Sequence, residues 1–221
     1  VNSRQINFEP SYPGEAFRMG RRADWHTRYF RGVLEDVKIY PYAITESKIQ
    51  ELYNNGKSNV GSSGNDSRLQ DSLILDQTFD RIETCGQSYT VTCPSGMSGK
   101  VAVDESGEAN HGELVNSPTI EGAEDCKVGG CLGFDGNDDY VQMKESSNLN
   151  FSQPVTFTTW LKHDSSGDIA SYPIVQRDGE NRIAGLWINR DGNIGPITWN
   201  GGTTAYSTST VNDGEWHHVV G

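Results

Sequence analysis

The chain of 221 residues is 34% hydrophobic and contains 25 glycines, a composition that favours one all-β domain with many turns over a helical protein. Its net charge of -12 disfavours binding to DNA, RNA or an anionic membrane surface, because those partners need clustered Lys and Arg. No run of 18 apolar residues occurs, so the sequence predicts no membrane span.

The first strong element in chain order is a strand. Residues 1–31 predict only short strands with loops, and we interpret their basic cluster, Arg18, Arg21 and Arg22, as solvated surface. Phe30–Tyr40 then alternates in the manner of a long strand, and this places Glu35 and Asp36 on opposite faces.

A helix and a linker follow this strand. Residues 44–53 predict a short amphipathic helix with Thr45 as its N-cap, and Asn54, Asn55 and Gly56 form its stop signal. Residues 58–71 are rich in Gly and Ser and poor in apolar residues, which predicts a flexible linker.

The second part of the chain reads as a series of strands. Leu73–Asp80 predicts the first of them, and residues 129–141 predict a β-hairpin around the tight turn Asp135–Asp138. Further strand patterns occur at residues 155–161, 174–175, 185–189, 197–199 and 213–220.

The four cysteines predict disulfides. Cys85, Cys93, Cys126 and Cys131 do not have the spacing of paired C-x2-C zinc sites, and no histidine lies close to either pair in sequence. Disulfides in an oxidising compartment are therefore the favoured interpretation, with free buried thiols as the alternative. Four cysteines allow three connectivities, of which we favour the two local pairs.

Several of these segments resemble laminin-G-like (LamG/pentraxin-type) domains of the concanavalin A-like lectin/glucanase superfamily. Residues 30–53 resemble the family's closing pattern F-x-G-x-(I/L)-D-(E/D)-V-x-I-(Y/W), with Glu35 where the family usually has Asp. Residues 104–114 resemble D-S-S-G-N-G-N-H-G-x-L, residues 134–141 resemble F-D-G-x-x-D-Y-V, and residues 213–220 resemble G-x-W-H-H-V-A. The resemblance implies an antiparallel β-sandwich of the jelly-roll type, with two sheets of about six strands and one short helix.

The order of these motifs is reversed relative to the family. Residues 1–57 resemble the C-terminal strands and helix of a laminin-G-like sandwich, and residues 72–221 resemble its N-terminal strands. Three explanations stay open. The chain is circularly permuted, it is the tail and head of neighbouring domains in a tandem array, or its two halves pair between molecules and build a filament.

The resemblance also implies a calcium site. Related domains often hold calcium with acidic side chains at the start and end of the sandwich, and the matching positions are Asp80, Glu35 and Asp36. Oxygen ligands from separate strands suit the six to eight contacts of calcium better than the tetrahedral preference of zinc. Capped turns and surface charge are the alternative interpretation.

A carbohydrate site is the second candidate. Sugar rings stack on aromatic side chains and their hydroxyl groups need planar polar partners, which Trp187, Trp199, Asn200 and Tyr206 offer together. We expect Trp160 and Trp216 to fill the core instead.

Catalysis is not expected. No strand of the E-x-D-x-x-E type, which related glucanases carry, occurs in the chain, and no carboxylate pair is spaced for glycoside hydrolysis. His111, His217 and His218 have no neighbouring nucleophile motif, so we interpret them as structural histidines.

The sequence thus favours an extracellular or cell-surface, lectin-like recognition or adhesion module whose partners are glycans or cell-surface glycoproteins. Two alternatives stay open: a structural subunit that assembles into a surface filament by strand exchange between chains, and an accessory module of a carbohydrate-active enzyme.

Overall fold

The structure is a computed structural model, and it describes residues 17–21, 28–58, 73–86, 99–144, 146–149, 154–163, 170–178, 182–198, 202–203 and 205–221. Trp199, Asn200, Cys93 and most of the expected linker lie outside these ranges. No helix among the described residues is long and apolar enough to cross a membrane.

Two antiparallel sheets form a sandwich, which confirms the expected fold class. One sheet has nine strands and the other has six, so the expectation of two sheets of about six strands was wrong for one of them. The nine-stranded sheet contains, in spatial order, β14 (Gly202–Thr203), β13 (Ile194–Thr198), β12 (Arg182–Ile188), β11 (Ser171–Asp178), β1 (Phe17–Met19), β9 (Tyr140–Met143), β6 (Gly112–Val115), β5 (Lys100–Ala102) and β4 (Ile82–Thr84). The six-stranded sheet contains β15 (Trp216–Val220), β10 (Thr156–His163), β2 (Arg31–Tyr40), β8 (Leu132–Asp135) and β7 (Thr119–Ile120), with β3 (Leu75–Gln77) also paired to β2.

Strands β1 and β2, which belong to residues 1–57, lie inside the sheets. Strand β1 is inserted between β11 and β9, and β2 is inserted between β10 on one side and β8 and β3 on the other. Their partners all come from residues 73–221 of the same chain. Because central strands have both edges paired, this arrangement satisfies the hydrogen-bonding groups that an unpaired strand leaves open.

The core lies between the two sheets. Its largest fully buried members come from strands of both sheets, since each strand turns alternate side chains inward. They include Phe17, Met19, Leu34, Ile39, Leu75, Leu132, Met143, Leu161 and Ile174.

A β-bulge in β2 corrects the predicted alternation. Trp160 pairs with Glu35 and Thr158 pairs with Lys38, so two residues of β2, Asp36 and Val37, oppose one residue of β10. Asp36 takes the extra position with φ of 51°. The side-chain parity therefore changes at this point, and Leu34 from before the bulge shares the core with Val37 from after it.

The turn at residues 136–139 is a second correction. The strands on its two sides, β8 and β9, do not pair with each other; β8 pairs with β2 and β7 in one sheet, and β9 pairs with β1 and β6 in the other. Asn137 N donates to Asp135 Oδ1 at 2.8 Å, which makes the predicted tight turn an Asx turn. The predicted hairpin was wrong because the turn carries the chain across the sandwich.

The helix α1 spans Glu46–Ser58 and packs on the outer face of the six-stranded sheet. Thr45 caps it, since its Oγ1 accepts the N–H of Lys48 at 3.3 Å, as the sequence predicted. The helix continues beyond its predicted end at residues 54–56. It does so because Gly56 lies against the Trp160 indole, where a Cβ would come within 2.2 Å of Nε1. Trp160 is accordingly buried under the helix and outside the main core cluster.

Candidate functional site

A row of in-register residues defines the outer face of the nine-stranded sheet. Across neighbouring strands the row contains Ile197, Gly185, Val175, Arg18, Gln142 and Glu113. Its members point away from the core because their chain neighbours Leu186 and Ile174 belong to the core cluster. Gly185 allows a close approach of two strands, since a Cβ there would come within 2.2 Å of the Ile174 carbonyl oxygen, and Gly185, Val175 and Ile197 are buried.

Three aromatic residues stand on this face at one end; we refer to Tyr172, Trp187 and Tyr206 as the aromatic cluster. The rings of Tyr172 and Trp187 are stacked, with centroids 6.2 Å apart and an angle of 11° between planes. The ring centroid of Tyr206 lies 6.0 Å from that of Trp187, and 41% of Tyr206 is exposed. Trp187 Nε1 is buried, and none of the described residues accepts a hydrogen bond from it.

Three arginines lie beside the aromatic cluster; we refer to Arg18, Arg21 and Arg28 as the arginine cluster. Both Arg18 and Arg21 place their guanidinium carbon over the Tyr140 ring, at 5.8 and 4.8 Å from its centroid. All three are half-buried. The interpretation of Arg18 and Arg21 as solvated surface was therefore wrong. The Tyr140 ring under both guanidinium groups comes from the neighbouring strand β9, and the sequence around the arginines does not reveal it.

A hydrogen bond joins the two clusters, and a second connects the arginine cluster to Gln142. Arg28 Nη1 donates to the Tyr172 hydroxyl at 3.5 Å, and Arg18 Nε donates to Gln142 Oε1 at 3.1 Å. Tyr172 is thus stacked on Trp187 at its ring and bonded to an arginine at its hydroxyl. Tyr172 is itself only 2% exposed, so Tyr206 and the half-buried Trp187 and arginine cluster are the accessible part of this face.

The predicted carbohydrate residues fall partly on this surface. Trp187 and Tyr206 are brought together, whereas Trp199 and Asn200 lie outside the described residues. Tyr172 and the arginine cluster were missed as site residues. Strand alternation in β11 was a weak signal for Tyr172, because a bulge between Ser171 and Ile174 changes the side-chain parity there.

A cavity of about 320 Å³ adjoins Tyr206 at the sandwich edge between β13 and β15. Its lining includes the core residues Leu186, Ile194, Val211 and Val219. Ser207, Ser209, His217 and His218 add polar side chains to this apolar floor. The outer face adds stacked aromatic rings, on which the apolar face of a sugar packs, and is the better candidate site.

Glu35, one of the three predicted calcium ligands, holds a loop. Its carboxylate accepts the backbone N–H groups of Lys127 at 2.6 Å and Gly129 at 2.7 Å, and also that of Val128. The loop fills the space beside β2 between β8 and β3. Burial raises the pKa of the Glu35 carboxyl, and the three N–H donors oppose that shift.

The other two predicted ligands are also engaged by protein donors. Asp80 Oδ1 accepts the N–H of Gly130 at 2.6 Å, and Asp36 forms an ion pair with the Lys38 ammonium, which also lies 3.0 Å from Asp76 Oδ1. Burial lowers the pKa of Lys38, but the two carboxylates outweigh it and hold that pKa above its usual range. Lys38 thus supplies positive charge beside Asp36, and N–H donors occupy Glu35. This donor set fits a structural role better than a calcium ion, and calcium stays a prediction.

A disulfide joins Cys126 to Cys131 and closes the loop that Glu35 holds. This is one of the two favoured local pairs. Cys85 is also disulfide-bonded, and the predicted pairing with Cys93 involves a residue outside the described ranges.

The histidines have structural partners. His111 Nδ1 accepts the N–H of Asp104 at 3.0 Å, and His217 Nε2 lies 2.8 Å from Asp213 Oδ1. His218 lies against Trp160, with ring centroids 5.1 Å apart, and burial lowers its pKa to about 4.

Comparison with known proteins gives one finding. The family model Laminin_G_3, of the concanavalin A-like lectin/glucanases superfamily, matches residues 135–221, which is less than half of the chain. No curated protein and no solved structure matches the chain. The matched residues contain β9 to β15 and therefore carry the aromatic cluster. The resemblance that the motifs indicated is confirmed for residues 135–221, the part of the chain that matches the family model.

Proposed function

We propose that the chain is an extracellular, lectin-like recognition module that binds carbohydrate on the outer face of its nine-stranded sheet. The observation that carries the proposal is the aromatic cluster, in which Tyr206 is exposed beside a Trp187 ring that Tyr172 holds in place. A module type that binds carbohydrate is also what the superfamily match supports.

The physical argument concerns the apolar C–H face of a sugar and its hydroxyl groups. The C–H face of a pyranose ring gains from contact with an immobilised aromatic ring, and an ordered ring loses little rotamer entropy on binding. Its hydroxyl groups need donors and acceptors, and the arginine cluster, Gln142 and the Tyr206 hydroxyl supply them close by. The Trp187 N–H is buried, and it becomes a further donor when a ligand displaces the atoms that cover it.

The extracellular assignment rests on the cysteines. The Cys126–Cys131 disulfide persists in an oxidising compartment and is uncommon in the cytosol. Cell-surface glycans and glycoproteins are the partners that such a location offers.

The test is glycan binding by two matched variants. Tyr206→Ala removes an exposed ring from the proposed site, and Tyr42→Ala removes an equally exposed ring, 45% against 41%, beside the helix of the other sheet. We expect Tyr206→Ala to weaken binding by about tenfold or more and Tyr42→Ala to leave it unchanged, measured by calorimetry after a glycan-array screen.

Two results would contradict the proposal. One is a wild-type protein that binds no glycan on the array; the other is an equal loss in both tyrosine variants. Thermal unfolding of each variant shows whether a loss of binding is a loss of folding. A bound oligosaccharide should be recovered uncut, because the proposal is binding without turnover.

The filament alternative has a separate test. The pairing of β2 with β3, β8 and β10 of its own chain favours closure within one molecule. We therefore propose a monomer, with a mass of 24.3 kDa by light scattering across a concentration series. Open-ended polymers in electron micrographs would favour strand exchange between chains. An accessory module of a carbohydrate-active enzyme would bind glycans in the same way.

A further inference from the structure

We infer that the outer edge of strand β15 binds an extended strand of a partner protein, and that alternate side chains of this strand enter the cavity between β13 and β15. The inference goes beyond the proposed carbohydrate function and does not depend on it. Its basis is the juxtaposition of backbone groups that point out of the sheet with a cavity that reaches the core.

The direction of the β15 backbone groups is the first step. Phe157 and Gly221 exchange two backbone hydrogen bonds, at 2.8 and 3.0 Å. Opposite residues of antiparallel strands alternate between bonded and non-bonded pairs, so Trp216, His218 and Val220 direct their N–H and C=O groups away from β10. Among the described residues, no strand pairs with this edge of β15. Three N–H groups and three C=O groups therefore face a position where a further strand fits.

The cavity is the second step. It has a volume of about 320 Å³, and part of its lining belongs to the core of the sandwich: Leu186, Ile194, Val211 and Val219. Four of the five residues of β15 line it: His217, His218, Val219 and Val220. The edge of β15 thus borders an opening into the apolar interior along most of its length.

The alternation of side chains in an added strand is the third step. Residues that lie directly opposite each other in neighbouring strands place their side chains on the same face. Val219 faces the core, so the residue opposite it in an added strand also points inward, into the cavity. The next inward residue lies opposite His217, on the side of the lining that also contains Ser207 and Ser209. The fitting strand is therefore apolar opposite Val219 and accepts a polar residue two positions away.

The combination selects a polypeptide over other ligands. A small apolar molecule can fill a cavity, but another strand also matches N–H and C=O groups that repeat along an edge at the spacing of a sheet. Natural sheets usually protect an edge from such pairing with charged residues, prolines or bulges. Strand β15 contains no Pro, Lys, Asp or Glu, and its register with β10 shows no bulge.

The experiment combines a peptide library with a backbone variant. Random dodecapeptides displayed on phage are selected on the wild-type chain, and the enriched sequences are synthesised. Val220→Pro removes one outward N–H of β15 and leaves the bonds to β10 in place, because an edge strand tolerates Pro where its N–H faces solvent. Ile120→Pro removes an outward N–H from β7, at the other edge of the same sheet, and is the matched control.

We expect the enriched peptides to carry large apolar residues at alternate positions. Calorimetry should show that they bind Val220→Pro at least about tenfold more weakly than the wild-type chain, and Ile120→Pro equally well. Methylation of the peptide's own backbone nitrogens tests the same point without changing the protein. Methyl groups on one set of alternate nitrogens should abolish binding, and methyl groups on the other set should not, because only one edge of an added strand faces β15. This second measurement decides the matter if Val220→Pro does not fold.

Four results would overturn the inference. The first is a library that yields no peptide with a preference for the wild-type chain over Val220→Pro, and the second is equal tolerance of both methylation patterns. The third is slow hydrogen exchange of the His218 and Val220 amides in the free chain, which would mean that this edge is already paired. The fourth is a dimer in light scattering that Val220→Pro converts to a monomer, which would assign the edge to a second copy of the chain.

Discussion

Gly56 of helix α1 lies directly on the indole of Trp160, at a distance that leaves no room for a methyl group; a Cβ on Gly56 would come within 2.2 Å of Trp160 Nε1. The contact seats the helix on the six-stranded sheet, with Tyr53 stacked on the same indole at 5.7 Å between centroids. The helix is thus attached through the contact of Gly56 with Trp160 and through Leu52, which packs with Tyr40 and Leu73.

Gly56→Ala should therefore destabilise the protein, although Ala is the better helix former. The overpacking costs about 1–3 kcal/mol, more than the gain of about 1 kcal/mol in helix propensity. Asn55→Ala, at the exposed neighbouring position, is the control and should be neutral or slightly stabilising. Urea denaturation measures both, and a stabilised Gly56→Ala would show that the helix does not dock in this way.

Glu35 and the Cys126–Cys131 disulfide hold the same loop, so their contributions should be coupled. Replacing both cysteines by serine should cost about 2 kcal/mol for a ring of this length. Glu35→Gln should cost a similar amount, about 2 kcal/mol, because all three N–H donors lose their charged acceptor and the amide NH2, a donor, faces at least one of them. We expect the variant with all three substitutions to lose less stability than the sum of the two separate losses, because either change alone already releases the loop.

The check is a double-mutant cycle in urea denaturation. Strict additivity of the two losses would mean that Glu35 and the disulfide stabilise separate parts of the fold. Glu124→Gln in the same loop is the control, because its side chain is exposed and its substitution should have no effect.

His218 should make stability depend on pH. Burial against Trp160 lowers the pKa of His218 to about 4 from 6.5; the smaller effect of Asp36 opposes this shift, and that of Lys38 adds to it. Between these two values the unfolded chain binds a proton that the folded chain does not, so the free energy of unfolding should fall as the pH drops from about 6.5 to about 4. The loss is about 2–3 kcal/mol if the group acts alone.

The comparison with His218→Gln isolates this effect from other titrating groups. Denaturation at pH 7 and pH 5 should show a smaller pH-dependent loss in the variant than in the wild-type protein. An identical loss in both proteins would mean that His218 titrates normally in the folded state.

Calcium is the remaining prediction from the sequence that needs a direct test. Because N–H groups and Lys38 already engage Glu35 and Asp36, we expect a melting temperature that changes by less than about 2 °C between excess EGTA and millimolar calcium. Magnesium at the same concentration is the control for ionic strength. A calcium-specific rise of several degrees that Asp80→Asn abolishes would restore the predicted site.

Several local features could be predicted from the sequence because they depend on neighbours along the chain. Thr45 caps the helix, Asp135 forms its Asx turn, and residues 156–163 form a strand, as their side chains favour in any fold. The laminin-G-like motifs also predicted the sandwich, because their apolar residues alternate along the chain as the inward-facing residues of its strands do. Trp187 and Tyr206 could be named as candidates from their local sequence, which is rich in Gly, Asn and Thr, and their role in binding stays a prediction.

Other features were decided by tertiary packing. The turn after β8 crosses to the other sheet, and nothing in its Gly, Asn and Asp residues distinguishes a crossing from a hairpin. The bulge at Asp36 shifts the parity of β2, and the helix runs through Gly56 because an indole from β10 fills the space beside it.

The meeting of the aromatic and arginine clusters depends on strand order. Arg18 and Trp187 are far apart in the chain and share a face only because β1 is inserted between β11 and β9. By itself the sequence determined which segments are strands, turns and helix, because those choices depend on residues within a few positions. The tertiary structure alone decided which strands are neighbours, because pairing is set by the burial of the whole apolar surface, and that choice assembled the candidate site.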